Sequence, residues 1–274
     1  MKITNLEMKF KDKVVLENVS FDVQKGERVA ILGENGCGKT TLLNIINQAL
    51  TPTSGRIDFE DFKMTNQNRC YIMQHETLPD EIKASEALNM FARDKAAKAA
   101  GQQLAEKFNL TRVLNKHFAR LSGGEKQKLF LISSLQNSPE YFFLDEITTG
   151  LDYNSRDDLL TFLAEVFEKN SDTLFMVTHY IEEAVRLCNR FIVIKNGNIT
   201  ADLTKEQLVE RDYSLVKFDK AMTGFEAASS ADFSYKIAKS ELEDVWQQNF
   251  QHIVSYERDF TRNLGEIISV ENKM

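Results

Sequence analysis

The architecture of this chain follows from one segment, Glu27-Arg28-Val29-Ala30-Ile31-Leu32-Gly33-Glu34-Asn35-Gly36-Cys37-Gly38-Lys39-Thr40. Residues 27–32 form a short apolar run that predicts a buried strand, and residues 40–49 repeat apolar side chains with helical spacing. A loop with three glycines, a lysine and a threonine lies between them. Strand, glycine-rich loop and helix in this order are typical of a phosphate-binding loop.

The parts of this loop have separate predicted roles. Its glycines let successive backbone amides converge on phosphate oxygens, and the helix N-terminus adds a partial positive charge. Lys39 is expected to reach the β and γ phosphates, and the Thr40 hydroxyl is expected to hold Mg²⁺. The alternative, a glycine-rich turn with an incidental lysine, is disfavoured by the flanking strand and helix. The predicted nucleotide-binding residues here are Gly33, Glu34, Asn35, Gly36, Cys37, Gly38, Lys39, Thr40 and Thr41.

A second segment, Phe142-Phe143-Leu144-Asp145-Glu146, is an apolar strand that ends in two carboxylates. A strand buried in a parallel sheet can place both acids at its carboxyl edge, beside the phosphates. Asp145 is expected to support Mg²⁺, and Glu146 is expected to act as the general base that polarises the attacking water. A strand terminus that is acidic by chance is the alternative, and the nearby phosphate-loop pattern makes it the poorer explanation.

Strand and helix patterns alternate along the rest of the core. Residues 2–23 alternate apolar and polar residues, which predicts two or three antiparallel strands. Residues 68–73 and 173–177 predict further strands, and residues 155–168 an amphipathic helix. The residues expected on its buried face are Leu159, Leu163, Val166 and Phe167. Strands separated by helices imply a parallel sheet covered on both faces.

The predicted fold class is therefore α/β. It is a P-loop NTPase core, mostly parallel sheet with helices on both faces, plus an N-terminal antiparallel β subdomain. Residues 75–135 lack strand patterns and are predicted to form an α-helical subdomain. The predicted domains are residues 1–208 and a C-terminal extension at residues 209–274.

Composition narrows the classes of function. A chain of 274 residues with 42% hydrophobic residues can bury a core, and its net charge of -7 argues against nucleic acid as a partner. Apolar runs stop far short of the roughly 20 residues that cross a bilayer, and no secretory signal opens the chain. We therefore expect a cytoplasmic protein. Three widely spaced cysteines, Cys37, Cys70 and Cys188, are expected to be free thiols.

A third segment, Leu121-Ser122-Gly123-Gly124-Glu125-Lys126-Gln127-Lys128, points to a family. It resembles the signature sequence of ATP-binding cassette (ABC) ATPases, and it precedes the two-acid strand as it does in them. The resemblance covers residues 1–208 and implies ATP and Mg²⁺ as cofactors. It also implies that two cassettes face each other head to tail, so that one chain makes half of each active site. The helix opened by Ser122, Gly123, Gly124 and Glu125 would then meet the γ phosphate of the partner's nucleotide.

The resemblance assigns four further positions. Gln74 matches the glutamine that senses Mg²⁺ and water, and His179 matches the histidine that hydrogen-bonds the γ phosphate. Asp152 lies in the segment that crosses the dimer interface, and Phe10 matches the aromatic residue that stacks on adenine. Each of these residues alone has an ordinary structural alternative, such as a surface amide or a core phenylalanine. The chain departs from the common pattern at Glu125, Ile147 and Phe10, without loss of a catalytic group.

The resemblance also implies partners. Besides a second ABC subunit, in a homodimer or paired with another cassette, we expect integral membrane transporter subunits, which would dock near residues 79–91. A plain solvated helix is the alternative at that segment. Glu241-Leu242-Glu243-Asp244-Val245-Trp246 resembles a C-terminal segment of exporter cassettes and favours export, although an ordinary amphipathic helix is the better explanation of this segment taken alone. The alternative functions are an ABC ATPase without a membrane partner, and a kinase or GTPase that shares only the phosphate loop.

Cys37 lies inside the phosphate loop, at the start of a predicted helix. A thiol near a helix N-terminus is expected to be partly ionised and exposed when nucleotide is absent. The hypothesis is that alkylation of Cys37 blocks ATP binding.

Overall fold

The computed structural model of the chain describes residues 1–60, 62–73, 77–168, 172–210, 213–229, 233–238 and 241–257. The chain divides into two units, Met1–Thr200 and Ala201–Met274. The strands that begin in the first unit are β1 (Lys2–Phe10), β2 (Lys13–Asp22), β3 (Arg28–Leu32), β4 (Ser54–Asp58), β5 (Arg69–Ile72), β6 (Tyr141–Asp145), β7 (Thr173–Val177), β8 (Arg190–Lys195) and β9 (Asn198–Thr204). Its α-helices are α1 (Lys39–Ile46), α2 (Ala84–Phe91), α3 (Lys95–Lys107), α4 (Gly123–Leu135), α5 (Tyr153–Glu168) and α6 (Ile181–Leu187).

A six-stranded sheet carries the core, in the order β5-β6-β7-β3-β8-β9. The pairs β5–β6, β6–β7, β7–β3 and β3–β8 are all parallel. Helices α1, α4 and α6 contact strands of this sheet. The five residues of β6 and the five of β7 are all buried, as expected of central strands covered on both faces. The rings of Phe143 and Phe175 stack across these two strands with their centroids 5.3 Å apart.

Two smaller regions flank this sheet in the first unit. Strands β2, β1 and β4 form an antiparallel sheet in that order, with Phe10 paired to Lys13 at the β1–β2 turn. The named elements of residues 77–135 are all helical, namely α2, α3, α4 and two short 3₁₀ turns at Thr111–Val113 and Phe118–Arg120. The predicted fold class, with its antiparallel β subdomain and its helical subdomain, is confirmed.

One detail of the predicted core is wrong. Val166 was expected on the buried face of α5, but it is only half-buried, and Leu160 and Phe162 are buried instead. The ring of Phe108, which follows α3, lies edge-on to Phe162 with centroids 3.9 Å apart. The helical subdomain therefore contributes Phe108 to the packing around α5.

The second unit has its own small core. Strands β10 (Tyr213–Phe218), β11 (Glu226–Ser229), β12 (Ser234–Ala238) and β13 (Ile253–Glu257) form an antiparallel sheet in the order β11-β12-β10-β13. Helices α7 (Lys205–Glu210) and α8 (Leu242–Asn249) and a 3₁₀ turn at Phe250–His252 complete the unit. The buried residues of this core cluster are Val216, Phe218, Tyr235, Ile237 and Val245. Across the described residues of both units, helices long and apolar enough to cross a membrane are absent.

Candidate functional site

The glycine-rich loop joins the end of β3 to the start of α1. Gly33 has φ +150°, and a Cβ there would lie 2.2 Å from the carbonyl oxygen of Ile194, so a side chain has no room. Lys39 is buried, and its Nζ donates hydrogen bonds to the carbonyl oxygens of Gly33 and Glu34, both at 2.9 Å. The lysine thus folds back along its own loop. Its positive charge is held at the place where the sequence predicts phosphate binding.

A cavity of about 360 Å³ opens over this loop. The N-terminal end of α1 faces it, so the partial positive charge of the helix adds to that of Lys39. Val15 of strand β2 also lines the cavity, and nothing in the sequence pattern had marked it as a site residue. The lining residues are Val15, Asn35, Gly36, Gly38, Lys39, Thr40, Thr41 and Glu146.

Asp145, at the carboxyl end of β6, lies beside this loop. The Thr40 hydroxyl donates a hydrogen bond to Asp145 Oδ1 at 3.2 Å. Burial raises the pKa of Asp145, and the nearby charge of Glu146 acts in the same direction, whereas the Thr40 hydrogen bond and Lys39 lower it. A hydroxyl oxygen and a carboxylate oxygen held together in this way suit Mg²⁺, which prefers oxygen ligands and completes its shell with water and phosphate.

Glu146 and His179 follow the adjacent parallel strands β6 and β7. Glu146 lines the cavity, and its Oε1 lies 3.6 Å from His179 Nδ1. Its backbone has φ +47°, in the left-handed region, and its N–H donates to the carbonyl oxygen of Val177 at 2.9 Å. An unusual backbone conformation fixed by a neighbouring strand is a feature of functional positions. The structure therefore brings together Lys39, Thr40, Asp145, Glu146 and His179.

A buried acid behind these residues had not been identified from sequence. Glu183, on α6, is 1% exposed and accepts hydrogen bonds from the hydroxyls of Thr148 and Thr178. Burial raises its pKa, whereas these two hydrogen bonds and the charge of Arg156 lower it. Helical spacing offered a signal, because Glu183 shares the apolar face of α6 with Ala184 and Leu187.

The predicted signature residues occupy a second place in the first unit. Ser122 caps helix α4: its Oγ accepts from the N–H of Glu125 at 3.2 Å, and Glu125 Oε2 accepts from the N–H of Ser122 at 2.8 Å. Glutamate at position 125 thus completes a capping box. Gly124 packs against α5, since a Cβ on it would lie 3.1 Å from Ser155 Cβ. Gly123 opens α4 beside Gly124.

The interface aspartate of the prediction lies next to this helix start. Asp152 accepts hydrogen bonds from the N–H of Ser155 at 3.0 Å and from its hydroxyl at 2.6 Å, and these bonds lower the pKa of Asp152. Ser122, Gly124, Glu125 and Ser155 line a cavity of about 590 Å³ that is distinct from the one over the glycine-rich loop. The phosphate loop and the signature residues therefore line two separate cavities of the first unit.

Two further predicted residues are Phe10 and Gln74. Phe10 is half-exposed at the end of β1 and is not among the described residues that line the cavity over the loop. Gln74 lies outside the residues that the structure describes.

The expectation for Cys37 needs correction. Its side chain is buried in the core cluster rather than exposed, and burial raises its pKa above the ordinary 9.0, although the charge of Lys39 lowers it. The loop presents backbone to the cavity and turns this thiol inwards. Cys37, Cys70 and Cys188 are not joined by disulfides, as expected, and all three are buried.

Cys37 is therefore expected to react slowly with iodoacetamide in the folded chain. A raised pKa means that less thiolate, the reactive form, is present at pH 8 than for an ordinary cysteine, so labelling should accelerate as the pH is raised. Peptide mass spectrometry measures the labelling of Cys37, with the chain in denaturant as the control. Labelling at pH 8 that is as fast in the folded chain as in denaturant would contradict this account.

Comparison with known proteins supplies a family for this arrangement. The family model described as ABC transporter matches residues 16–149. A Nod factor export ATP-binding protein I from Burkholderia lata is 33% identical, covering 76% of this chain and 72% of the relative. An aliphatic sulfonates import ATP-binding protein, SsuB 1 from Agrobacterium fabrum, is 34% identical, covering 73% and 72%. A solved ATP-binding subunit of an ABC transporter superposes with a TM-score of 0.64 at 27% identity, covering 76% of this chain and 90% of that one.

Proposed function

Because this chain belongs to the ATP-binding subunits of ABC transporters, we propose that it hydrolyses ATP with Mg²⁺ and couples hydrolysis to transport. One observation supports hydrolysis most: Glu146 lines the cavity over the phosphate loop, next to the hydrogen-bonded pair of Thr40 and Asp145. A carboxylate at that place can polarise a water molecule beside the terminal phosphate.

Each residue of this site has a role in the proposal. Lys39 and the amides of the loop bind the phosphates and balance their charge. Thr40 and Asp145 would hold Mg²⁺, which supplies charge stabilisation to the phosphoryl group that is transferred. Glu146 accepts a proton from the attacking water. His179, 3.6 Å from Glu146, contacts the γ phosphate and keeps the carboxylate in place.

The signature residues complete the site of a second copy. Ser122 and the amides of Gly123 and Gly124 form the positive end of α4, a helix of 13 residues. Such a helix start binds an anion well, and the γ phosphate on the loop of another copy supplies one. We therefore propose two copies arranged head to tail around two ATP molecules, with Asp152 at their interface and Phe10 against adenine.

The proposed transport partners are membrane subunits, to which the chain binds at the cytoplasmic face of the membrane. Helix α2 ends in two exposed apolar side chains, Met90 and Phe91, which are 58% and 42% exposed. Exposed apolar neighbours of this kind favour a protein contact. Residues 79–91 are therefore the proposed docking segment.

The proposed direction of transport is export. It rests on the similarity of Leu242–Trp246 to a segment of exporter cassettes. In the structure these residues lie on α8, and Val245 is part of the core of the second unit. The Burkholderia relative is named for export and the Agrobacterium relative for import, so the relatives give no preference. For the second unit we propose a regulatory or dimer-stabilising role.

Co-purification of the tagged full chain from solubilised membranes tests the transporter assignment. A polytopic membrane protein is expected to accompany the wild-type chain, and the double change Met90→Asp and Phe91→Asp is expected to remove it, because charged side chains would oppose an apolar contact. Val254→Asp, at a residue 60% exposed on β13, is the matched control and should retain it. If the wild-type chain arrives without a membrane protein, the ABC ATPase without a membrane partner replaces this proposal.

A further inference from the structure

Glu183 is a buried carboxylate with three polar neighbours from three different segments. Its Oε1 accepts from the Thr148 hydroxyl at 2.5 Å, and its Oε2 accepts from the Thr178 hydroxyl at 2.7 Å. Arg156 Nε lies 3.7 Å from Oε1, close enough for an ion pair. Thr148 and Thr178 are themselves buried. One side chain thus contacts the segment that follows β6, the segment that follows β7, and helix α5.

Each of these neighbours lies close in sequence to a residue of the proposed site. Thr148 is two residues after Glu146, and Thr178 immediately precedes His179. Arg156 lies four residues after Asp152, and its N–H donates to the Asp152 carbonyl oxygen at 3.0 Å. The Arg156 guanidinium also lies 3.8 Å from the centroid of the Tyr180 ring, whose centroid is 4.0 Å from that of His179.

Stability alone is a poor explanation for this cluster. Burying a carboxylate costs solvation, and its hydrogen bonds and an ion pair at 3.7 Å recover that cost only in part, so well-packed apolar residues would stabilise the fold about as well. A fully hydrogen-bonded carboxylate instead fixes the relative positions of the segments whose side chains donate hydrogen bonds to it. Here those segments carry the predicted base, the predicted phosphate-binding histidine and the interface aspartate.

We propose that Glu183 is a positioning residue, which holds Glu146 and His179 in the one mutual orientation that activates the attacking water. The inference rests on the proposed hydrolysis of ATP at this site. Glu183 is buried and is not among the described residues that line the cavity over the loop, so it acts through Thr148 and Thr178 and leaves ATP binding to Lys39 and the loop.

Glu183→Gln tests this role in the full chain, in the assembly with which it purifies. Glutamine keeps the shape, but it loses the negative charge that faces Arg156 and the ability to accept from both hydroxyls. We expect kcat for ATP to fall by about tenfold to 100-fold through misplacement of the base, with KM and ATP affinity within about twofold of wild type. Glu182→Gln, at the exposed neighbouring position, is the matched control and should leave both values unchanged.

The two threonines separate positioning from packing. Thr148→Val and Thr178→Val keep the side-chain shape but remove the hydroxyl, and each is expected to lower kcat without changing KM. Thr148→Ser and Thr178→Ser keep the hydroxyl and should retain most of the wild-type kcat. These pairs also decide the question if Glu183→Gln does not fold.

Three outcomes would overturn the inference. The first is a folded Glu183→Gln chain with wild-type kcat, and the second is a pair of valine variants as active as the serine variants. The third is that Glu183→Gln and both valine variants all fail to fold, because this would indicate a purely structural role. Glu146→Gln distinguishes this from failure of the proposed function. If the wild-type chain does not hydrolyse ATP, or if Glu146→Gln hydrolyses it normally, the proposed function itself is wrong.

Discussion

Glu146→Gln is expected to lower the rate of ATP hydrolysis by about 10³-fold, because an amide cannot accept the proton of the attacking water. ATP affinity should remain near that of wild type, since Lys39 and the loop amides still hold the phosphates. Phosphate release under saturating ATP measures the rate, and a fluorescent ATP analogue measures affinity. With hydrolysis blocked, the ATP-bound dimer should persist and elute early in size-exclusion chromatography.

Glu140→Gln is the control for this experiment. Glu140 precedes β6 and Glu146 follows it, so the two acids stand at opposite ends of one strand. Glu140 makes an exposed ion pair with Lys25 at 2.9 Å, and such pairs contribute little to stability. The control should hydrolyse ATP normally. Near-normal hydrolysis by Glu146→Gln would remove Glu146 from the role of base.

Lys39→Ala is expected to weaken ATP binding by about tenfold to 100-fold, the effect of losing a charged hydrogen bond of about 1.5 to 3 kcal/mol. In the structure Lys39 Nζ is already held at the loop by the carbonyl oxygens of Gly33 and Glu34. Little ordering of the lysine is therefore needed when phosphate arrives. Titration of the purified chain with a fluorescent ATP analogue measures the change.

Lys25→Ala supplies the matched loss of one positive charge, at an exposed residue of the same unit. It should bind ATP as the wild type does. Unchanged ATP affinity in a folded Lys39→Ala chain would contradict the role assigned to this lysine, and equal losses in both variants would point to a nonspecific charge effect.

Much of the core was predictable because its signals are local. A phosphate loop needs glycines and a lysine at fixed spacing. The strand before it and the helix after it are predicted by the spacing of their apolar residues. The buried β6 and β7 read as continuous apolar runs because both faces of a central parallel strand are covered. The convergence of Asp145 and Glu146 on this loop then follows from the common edge at which parallel strands end.

Features that depend on distant contacts were not predictable in the same way. Val166 was expected in the core, but Phe108 comes from another subdomain to cover Phe162 instead. Cys37 was expected to be exposed, because a loop motif shows which residues are present and not which way each one turns. The contacts of Glu183 could not be predicted from the sequence around it, because its partners Thr148 and Thr178 come from other segments, up to 35 residues away.

The antiparallel sheet of the second unit was missed for a related reason. Its strands are only four to six residues long, and β10 pairs with β12 and β13 rather than with its neighbour in sequence. Short strands with polar and aromatic residues carry weak periodicity. The pairing becomes apparent only from the folded arrangement.

Disulfide cross-linking between differently tagged copies tests most directly whether the phosphate loop of one copy meets the signature of another. One copy carries Asn35→Cys in the loop, the other carries Ser122→Cys at the start of α4, and both carry Glu146→Gln to prevent hydrolysis. Both engineered positions are exposed, whereas the native cysteines are buried and should give little background. The account predicts that ATP and Mg²⁺ produce a covalent product bearing both tags, and that none forms without nucleotide. Copies that bind ATP and yet form no mixed disulfide would contradict it.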